Sequence, residues 1–317
     1  MKKISLLLIL ALLLGLTACA RREPEVEAPP VEETPLQIET LSVEISKGSL
    51  GAQQLAAAVK ELPEVLRDYF ADTGAVEIGE VSVTVGSSVA ATAQTLAEGH
   101  IDLAFLPAEA FLSCGGEAVP LLADAHRPEP EDAFEEAGAT ALICAGATPY
   151  GGQLAVRSTS GSPLTWEELE NARWGVSQSG AAYACFELWL SVNFDGARAA
   201  ELPQVTWYED DATLLDAARA GEADALVIQR EAWKQAADTE EALPMLAETE
   251  ALCSQLAAVS PEREELAQAQ FTAALEQVLQ RLGEEKPELM EALGAARFVA
   301  VEDGDLDSAR RLLTLGE

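Results

Sequence analysis

The sequence predicts an α/β fold built as two similar lobes, each a mostly parallel sheet flanked by helices. Three observations predict it. Strand and helix patterns alternate through residues 81–111, the rhythm of parallel βαβ units. Residues 101–106 read as one apolar strand of the kind that a parallel sheet buries on both faces. A helix–Gly–Asp–strand junction also occurs twice. It stands as Leu96-Ala97-Glu98-Gly99-His100-Ile101-Asp102 and as Ala218-Arg219-Ala220-Gly221-Glu222-Ala223-Asp224. Each Gly ends a helix and each Asp starts the next strand, as in a parallel crossover. Two copies so far apart mark equivalent units in two lobes, not a short-period solenoid.

Taken in order, residues 42–46 alternate around Val43 and Ile45, which predicts a short strand, and Gly48-Ser49-Leu50-Gly51 predicts a turn. Helical periodicity covers residues 53–70, with Pro63 expected to interrupt it. Residues 81–85 read as a strand that runs into Gly86-Ser87-Ser88. A helix over 89–98 follows, stopped by Gly99. Pro107 opens a short helix through Phe111. Residues 123–137 are polar and contain proline, and a surface excursion is expected there. Residues 140–144 and 153–156 read as strands around a Gly151-Gly152 turn. Thr165-Trp166-Glu167-Glu168 has the form of a capping box. Residues 174–177 form a strand, and Ser179-Gly180 leads into a helix to about Val192. Strands at 205–208 and 225–228 flank a helix over 212–220 that Gly221 ends. Ser260-Pro261 is expected to cap a helix running to about Leu282. Helices near 287–293 and at the C-terminus complete the pattern. The expected lobes are residues 36–155 plus 251–317, and residues 156–250.

The 317 residues hold 54 acidic and 20 basic side chains, a formal net charge of −34. This argues against nucleic-acid binding, which needs a basic footprint, and against a peripheral grip on anionic lipid. It does not exclude an anionic ligand, because charges are screened over roughly 8 Å at physiological salt. Lys2 and Lys3 precede an apolar run over residues 4–16, and Leu16-Thr17-Ala18 leads to Cys19. This is the layout of a cleavable signal peptide over 1–18 with a lipidated Cys19. The run is shorter than the roughly 20 residues of a spanning helix. The mature chain is therefore expected outside the cytoplasm, anchored by lipid to a bacterial cell membrane. Residues 19–35, rich in Glu and Pro, are expected to be a disordered spacer. Cys114, Cys144, Cys185 and Cys253 match no zinc spacing. Outside the cell they can pair in three connectivities. Each also sits in an apolar context that suits a buried free thiol, and both readings stand.

Two helix starts carry candidate chemistry. Ser87-Ser88 and Ser177-Gln178-Ser179-Gly180 each follow a strand and precede a helix. Free backbone N–H groups and hydroxyls there can hold an oxyanion without arginine or lysine. For either pair alone, ordinary N-capping is the simpler reading. Their placement in both lobes, at the strand ends where α/β sheets bind ligands, favours a site. No catalytic constellation competes. His100 and His126 are the only histidines, and no Gly-x-Ser-x-Gly elbow, Walker loop or dinucleotide fingerprint is present. Neither an enzyme nor a cofactor or metal is expected, and an extracellular hydrolase is the weaker reading.

Three stretches carry a resemblance. They are Ser87-Ser88-Val89-Ala90 through Gly99-His100-Ile101-Asp102-Leu103-Ala104-Phe105-Leu106-Pro107, then Leu164-Thr165-Trp166-Glu167-Glu168-Leu169 with Trp174-Gly175-Val176-Ser177-Gln178-Ser179-Gly180, and Ala220-Gly221-Glu222-Ala223-Asp224-Ala225. In this order the chain resembles the substrate-binding proteins of ABC importers for phosphate, phosphite and phosphonates, over roughly residues 42–259. The resemblance implies a two-lobe periplasmic-binding-protein fold, two hinge crossovers and a ligand cleft. It implies a monomer that delivers a small oxyanion to an ABC permease, with no nucleic acid involved. Ser87 and Ser88 from one lobe, and Ser177, Ser179 and the Gly180 amide from the other, would hold the oxyanion, with Gln178 inside the second turn. Tyr183 and Glu109 are further candidates for the cleft wall. Many members have tyrosine where Val89 stands. Some have an acid near Gln229 that suits an aminated ligand, so the neutral Gln229 weakens an aminophosphonate. Another small anion, or a sensor in place of the importer, is the alternative.

Overall fold

A computed structural model describes residues 34–47, 52–114, 117–126, 136–178, 181–239 and 243–315. The expected signal peptide, Cys19, all but the last two residues of the spacer, the 48–51 turn, Ser179 and Gly180 lie outside the described residues. Twelve strands and eleven α-helices are described. The strands are β1 (Leu36–Ile45), β2 (Val76–Val85), β3 (Leu103–Pro107), β4 (Val119–His126), β5 (Glu136–Ala137), β6 (Ala141–Ala145), β7 (Trp174–Ser177), β8 (Val205–Tyr208), β9 (Ala225–Gln229), β10 (Met245–Glu248), β11 (Gln255–Val259) and β12 (Phe298–Ala300). The helices are α1 (Ala52–Thr73), α2 (Val89–Ala97), α3 (Ala108–Ser113), α4 (Pro149–Thr159), α5 (Trp166–Asn171), α6 (Ala182–Asn193), α7 (Asp211–Arg219), α8 (Arg230–Thr239), α9 (Ala269–Glu285), α10 (Pro287–Ala292) and α11 (Asp307–Leu315). Among the described residues no helix is long and apolar enough to cross a membrane.

The strands form two sheets, ordered β12-β4-β11-β3-β1-β2 (with β5 on β4) and β10-β6-β9-β7-β8. The duplicated junction in the sequence is a duplicated fold. The path β1-α1-β2-α2-β3 gives the parallel triple β3-β1-β2, and β7-α6-β8-α7-β9 gives the parallel triple β9-β7-β8. The two aspartates do the same work in both. The Asp102 carboxylate accepts from Ser42 N at 2.7 Å, while Asp102 N donates back to Ser42 O. The Asp224 carboxylate accepts from Arg173 N at 2.9 Å, and Asp224 N donates back to Arg173 O. Each ring fixes the register of the third strand on the first. Gly99 and Gly221 end the preceding helices at φ 74° and 79°, a conformation that costs glycine least.

The sheets are mixed rather than mostly parallel. β11 runs antiparallel to β3 and β4, and β6 runs antiparallel to β9 and β10. These strands enter from the crossovers, so they meet the parallel triples from the opposite direction. Sheet membership also moves the expected lobe boundary. β6, expected in the first lobe, pairs in the second sheet, because its apolar run (all five residues buried) fits between β9 and β10. The chain thus passes between sheets before Ala141 and returns before Gln255. The two crossovers pair with each other, with Ala139 N donating to Leu252 O and Leu252 N to Ala139 O, both at 2.9 Å.

Local expectations differ at four further places. Residues 153–156 lie in helix α4, not in a strand. Thr148 caps that helix by accepting from Gly151 N, Pro149 opens it, and Gly151 sits where a Cβ would come within 2.3 Å of Gly146 O. Pro63 does not break α1. Ala58, Leu62, Leu66 and Phe70 form one buried stripe through it, and that packing outweighs the roughly 3 kcal/mol of an interior proline. Residues 123–126 are the end of strand β4, where Ala123 and Asp124 are buried. Ser260-Pro261 precedes a 3-10 turn (Glu264–Ala267) held by buried Leu266 and by the Arg263 pair with Asp102, so α9 begins later, at Ala269. At Thr165 the Glu168 carboxylate accepts from both Thr165 N and the Thr165 hydroxyl, at 2.8 Å each.

The first sheet packs on α1, α9 and α10 around Phe70, Phe105 and Phe271. The second packs on α6 around Trp174 and Phe186. The C-terminal helix α11 lies against both α3 and α6, and Leu306 and Ala309 join a cluster that takes in Ala108 and Leu256 on one side and Trp189 on the other. One apolar cluster therefore runs behind the crossovers.

Candidate functional site

In a parallel triple all three strands end on the same edge. β1, β2 and β3 end at Ile45, Val85 and Pro107, and antiparallel β11 begins there at Gln255. In the second sheet β7, β8 and β9 end at Ser177, Tyr208 and Gln229, and antiparallel β6 begins there at Ala141. A cavity of about 710 Å³ is lined from both edges: Ser46, Pro107 and Ser254 on one, Ala139, Ala181 and Gln229 on the other. α/β sheets place ligands in this position.

The expected site residues distribute unevenly about it. Gln229 lines the cavity. Ser177 is fully buried at the end of β7, and exposed Gln178 follows, its N donating to Tyr208 O. Ala181, the next described residue, lines the cavity. Ser87 and Ser88 sit on the same edge but do not line it, because β2 is the outermost strand of its sheet. Ser88 is the N-cap of α2, its hydroxyl accepting from Ala91 N at 3.1 Å. Tyr183 is not a lining residue either. Its hydroxyl donates to Glu187 at 2.6 Å and its ring meets Trp207 edge-on. Burial, then the Glu187 carboxylate, push its phenol up to about 12. Glu109 is exposed in the first turn of α3 and does not line the cavity.

Sequence reading passed over Ser46. It directly follows the first strand of its unit at the position that Ser177 holds in the other, and it too is almost fully buried, its N donating to Phe105 O at 2.8 Å. The duplicated junction was the available signal: aligning the two units puts Ile45-Ser46-Lys47 beside Val176-Ser177-Gln178. Sequence reading also missed Asp124, which sits in the cavity floor and holds both crossovers. Its backbone O accepts from Gly138 N at 2.5 Å in the first. Its carboxylate accepts from Ser254 N (2.8 Å), Ser254 Oγ (2.7 Å) and Gln255 N (3.1 Å) in the second. Burial raises the Asp124 carboxyl above the usual range, and these donors oppose that rise.

Cys114, Cys144, Cys185 and Cys253 carry free thiols. Burial pushes the last three up to about 12, so they stay protonated. Among the described residues no three His, Cys, Asp or Glu side chains are placed to hold a metal ion.

A family model described as ABC transporter, phosphonate, periplasmic substrate-binding protein matches residues 52–306. No curated protein matches the chain. Among solved structures, Mh-p37 of Mycoplasma hyorhinis, described as a putative thiamine pyrophosphate transporter, is 9% identical with a TM-score of 0.52, over 88% of this chain and 100% of that one. XAC2383 from Xanthomonas citri, bound to ATP, is 12% identical with a TM-score of 0.51, over 87% and 96%. PhnD1 from Prochlorococcus marinus, in complex with methylphosphonate, is 12% identical with a TM-score of 0.47, over 86% and 97%. For Mh-p37 and XAC2383 the likeness is one of fold: a two-lobe α/β architecture.

Proposed function

Because the chain belongs to the family of periplasmic substrate-binding proteins of phosphonate ABC transporters, we propose that it captures a phosphonate- or phosphate-type oxyanion between its two sheets and presents it to the permease. It is a substrate-binding protein and not an enzyme. In this reading residues 1–18 are a signal peptide, Cys19 carries the lipid anchor and the protein works as a monomer outside the cytoplasm.

The observation that carries the reading is the pair of equivalent units whose parallel strands end at one cavity, with Ser46, just after β1, and Gln229, at the end of β9, lining it from either side. An anion held by Ser177, Ser179 and the Gly180 amide from one lobe and by Ser46 from the other belongs to both lobes at once. Only the closed arrangement satisfies both sets of donors, so ligand shifts the population toward closure. Ser87 and Ser88, further along the same edge, would serve a ligand that reaches past β1.

A thermal-shift screen of the purified protein against phosphate, phosphite, methylphosphonate and aminoethylphosphonate tests this. A ligand at 100 times its Kd adds about 2.7 kcal/mol. The expected result is a shift with at least one of the four that Ser179→Ala abolishes. Ser88→Ala separates two roles. Loss of the cap alone costs about 1 kcal/mol without ligand and leaves the ligand shift intact. No shift with any of the four removes the reading.

A further inference from the structure

The C-terminal helix α11 is a third connection between the lobes. It follows β12 of the first sheet. It packs on α3, which follows β3 of that sheet, and on α6, which follows β7 of the second. Buried Leu306 and Ala309, with partly buried Leu312, share one apolar cluster with Ala108 and Leu256 of the first lobe and with Cys185 and Trp189 of the second. Polar contacts fasten the far end of the helix. Arg198 of the second lobe, paired with buried Glu187, donates to Leu315 O, a last-turn carbonyl of α11. Arg311 Nη2 donates to the Glu250 carboxylate, in the second crossover, at 2.6 Å.

This cluster and the cavity lie on opposite faces of the crossovers. Asp124 and Ser254 line the cavity, and their chain neighbours Ala123 and Cys253 belong to the cluster. A rotation about the crossovers that narrows one face widens the other. The crossovers can bend, but a helix cannot stretch. On closure α11 therefore stays with one lobe and gives up contact with the other, and the apolar surface so exposed counts against closure. We infer that α11 is a strap that holds the lobes apart and thereby sets the affinity for ligand. A ligand that needs the closed state binds more weakly in proportion to how little of the protein is closed. The strap lowers that fraction, so loosening it tightens binding, although no residue of α11 is among the described lining residues. The effect on affinity rests on the proposed function; the hold on the lobes acts without ligand.

The test compares the purified protein with the double variant Arg311→Gln/Leu312→Ala and with Val65→Ala, which thins the packing of α1 on the first core, away from the crossovers. Without ligand, small-angle X-ray scattering should give the double variant a smaller radius of gyration than the parent and leave Val65→Ala unchanged. Calorimetry with phosphate, phosphite, methylphosphonate and aminoethylphosphonate in turn should show the double variant binding about fivefold more tightly than the parent, and Val65→Ala binding as the parent does. Arg311→Gln alone breaks only an exposed ion pair, so it keeps the test available should the double variant not fold, and it is expected to tighten binding about twofold. An unchanged radius of gyration overturns the strap, and so does a binding ligand whose affinity is unchanged or weaker in the double variant. If the radius falls but none of the four ligands binds any of the proteins, the strap stands and the oxyanion reading is what fails.

Discussion

Replacing Asp124 with alanine is expected to cost about 3 kcal/mol or more, the largest loss of any single polar substitution near the cavity. Its carboxylate is the acceptor for Ser254 N, Ser254 Oγ and Gln255 N, all at the point where the chain re-enters the first sheet. Without it, two backbone donors and a hydroxyl are left buried, at about 1–3 kcal/mol each before relaxation. Urea unfolding of the two proteins measures the difference as a shift in midpoint. Asn keeps one acceptor oxygen, so Asp124→Asn should lose only about 1–2 kcal/mol. The pH dependence has a definite sign. The folded carboxyl titrates above its unfolded value of about 3.9. Between the two values the native state binds more protons, so stability falls as pH rises through that window. Asp124→Asn removes this slope. An unchanged slope in the variant would show that the raised carboxyl lies elsewhere.

The second large effect belongs to Asp224. Burial works against its charged form. The Arg173 guanidinium, the Thr148 hydroxyl at 2.6 Å and Arg173 N outweigh that and hold it down to about 2. The side chain is 8% exposed, and its partner Arg173 is 45% exposed. The shift converts to about 2 kcal/mol once the open side of the pair is discounted. That stability is complete above the unfolded value of about 3.9 and is lost as pH falls through about 2. Asp224→Ala is expected to cost about 3 kcal/mol, because Thr148 and Arg173 N are left without their acceptor. It should also flatten the acid limb of stability against pH between 4 and 2, as read by circular dichroism. A mutant with the parental acid limb would contradict the account.

What could be read in the sequence was what local chemistry decides. Gly99 and Gly221 announce left-handed helix ends, and Asp102 and Asp224 follow them at one spacing, so the repeated unit was visible before any contact was known. Strand pairing is decided at a distance. Nothing within Ala141-Leu142-Ile143-Cys144-Ala145 says that its neighbours are β9 and β10, and so the run was placed in the wrong lobe. Gly151-Gly152 reads locally as a turn, whereas its glycine is needed because α4 passes so close to Gly146. The candidate site divides the same way. Ser177 and Gln229 stood out beside a serine-rich turn or a family position. Ser46 did not, because the residue after it is Lys47 and the resemblance to the second turn lies in its place in the fold, not in its neighbours. Asp124 fell in a stretch taken for surface, since an acid in a buried strand has no sequence signature apart from the crossovers that it binds.

The central claim is that one ligand is held by both lobes. Small-angle X-ray scattering of the purified protein, with and without a saturating ligand from the panel, tests it most directly. The account predicts a smaller radius of gyration with ligand, and no change when Ser46→Ala and Ser177→Ala are combined. A ligand that raises the melting temperature but leaves the radius of gyration unchanged would contradict it.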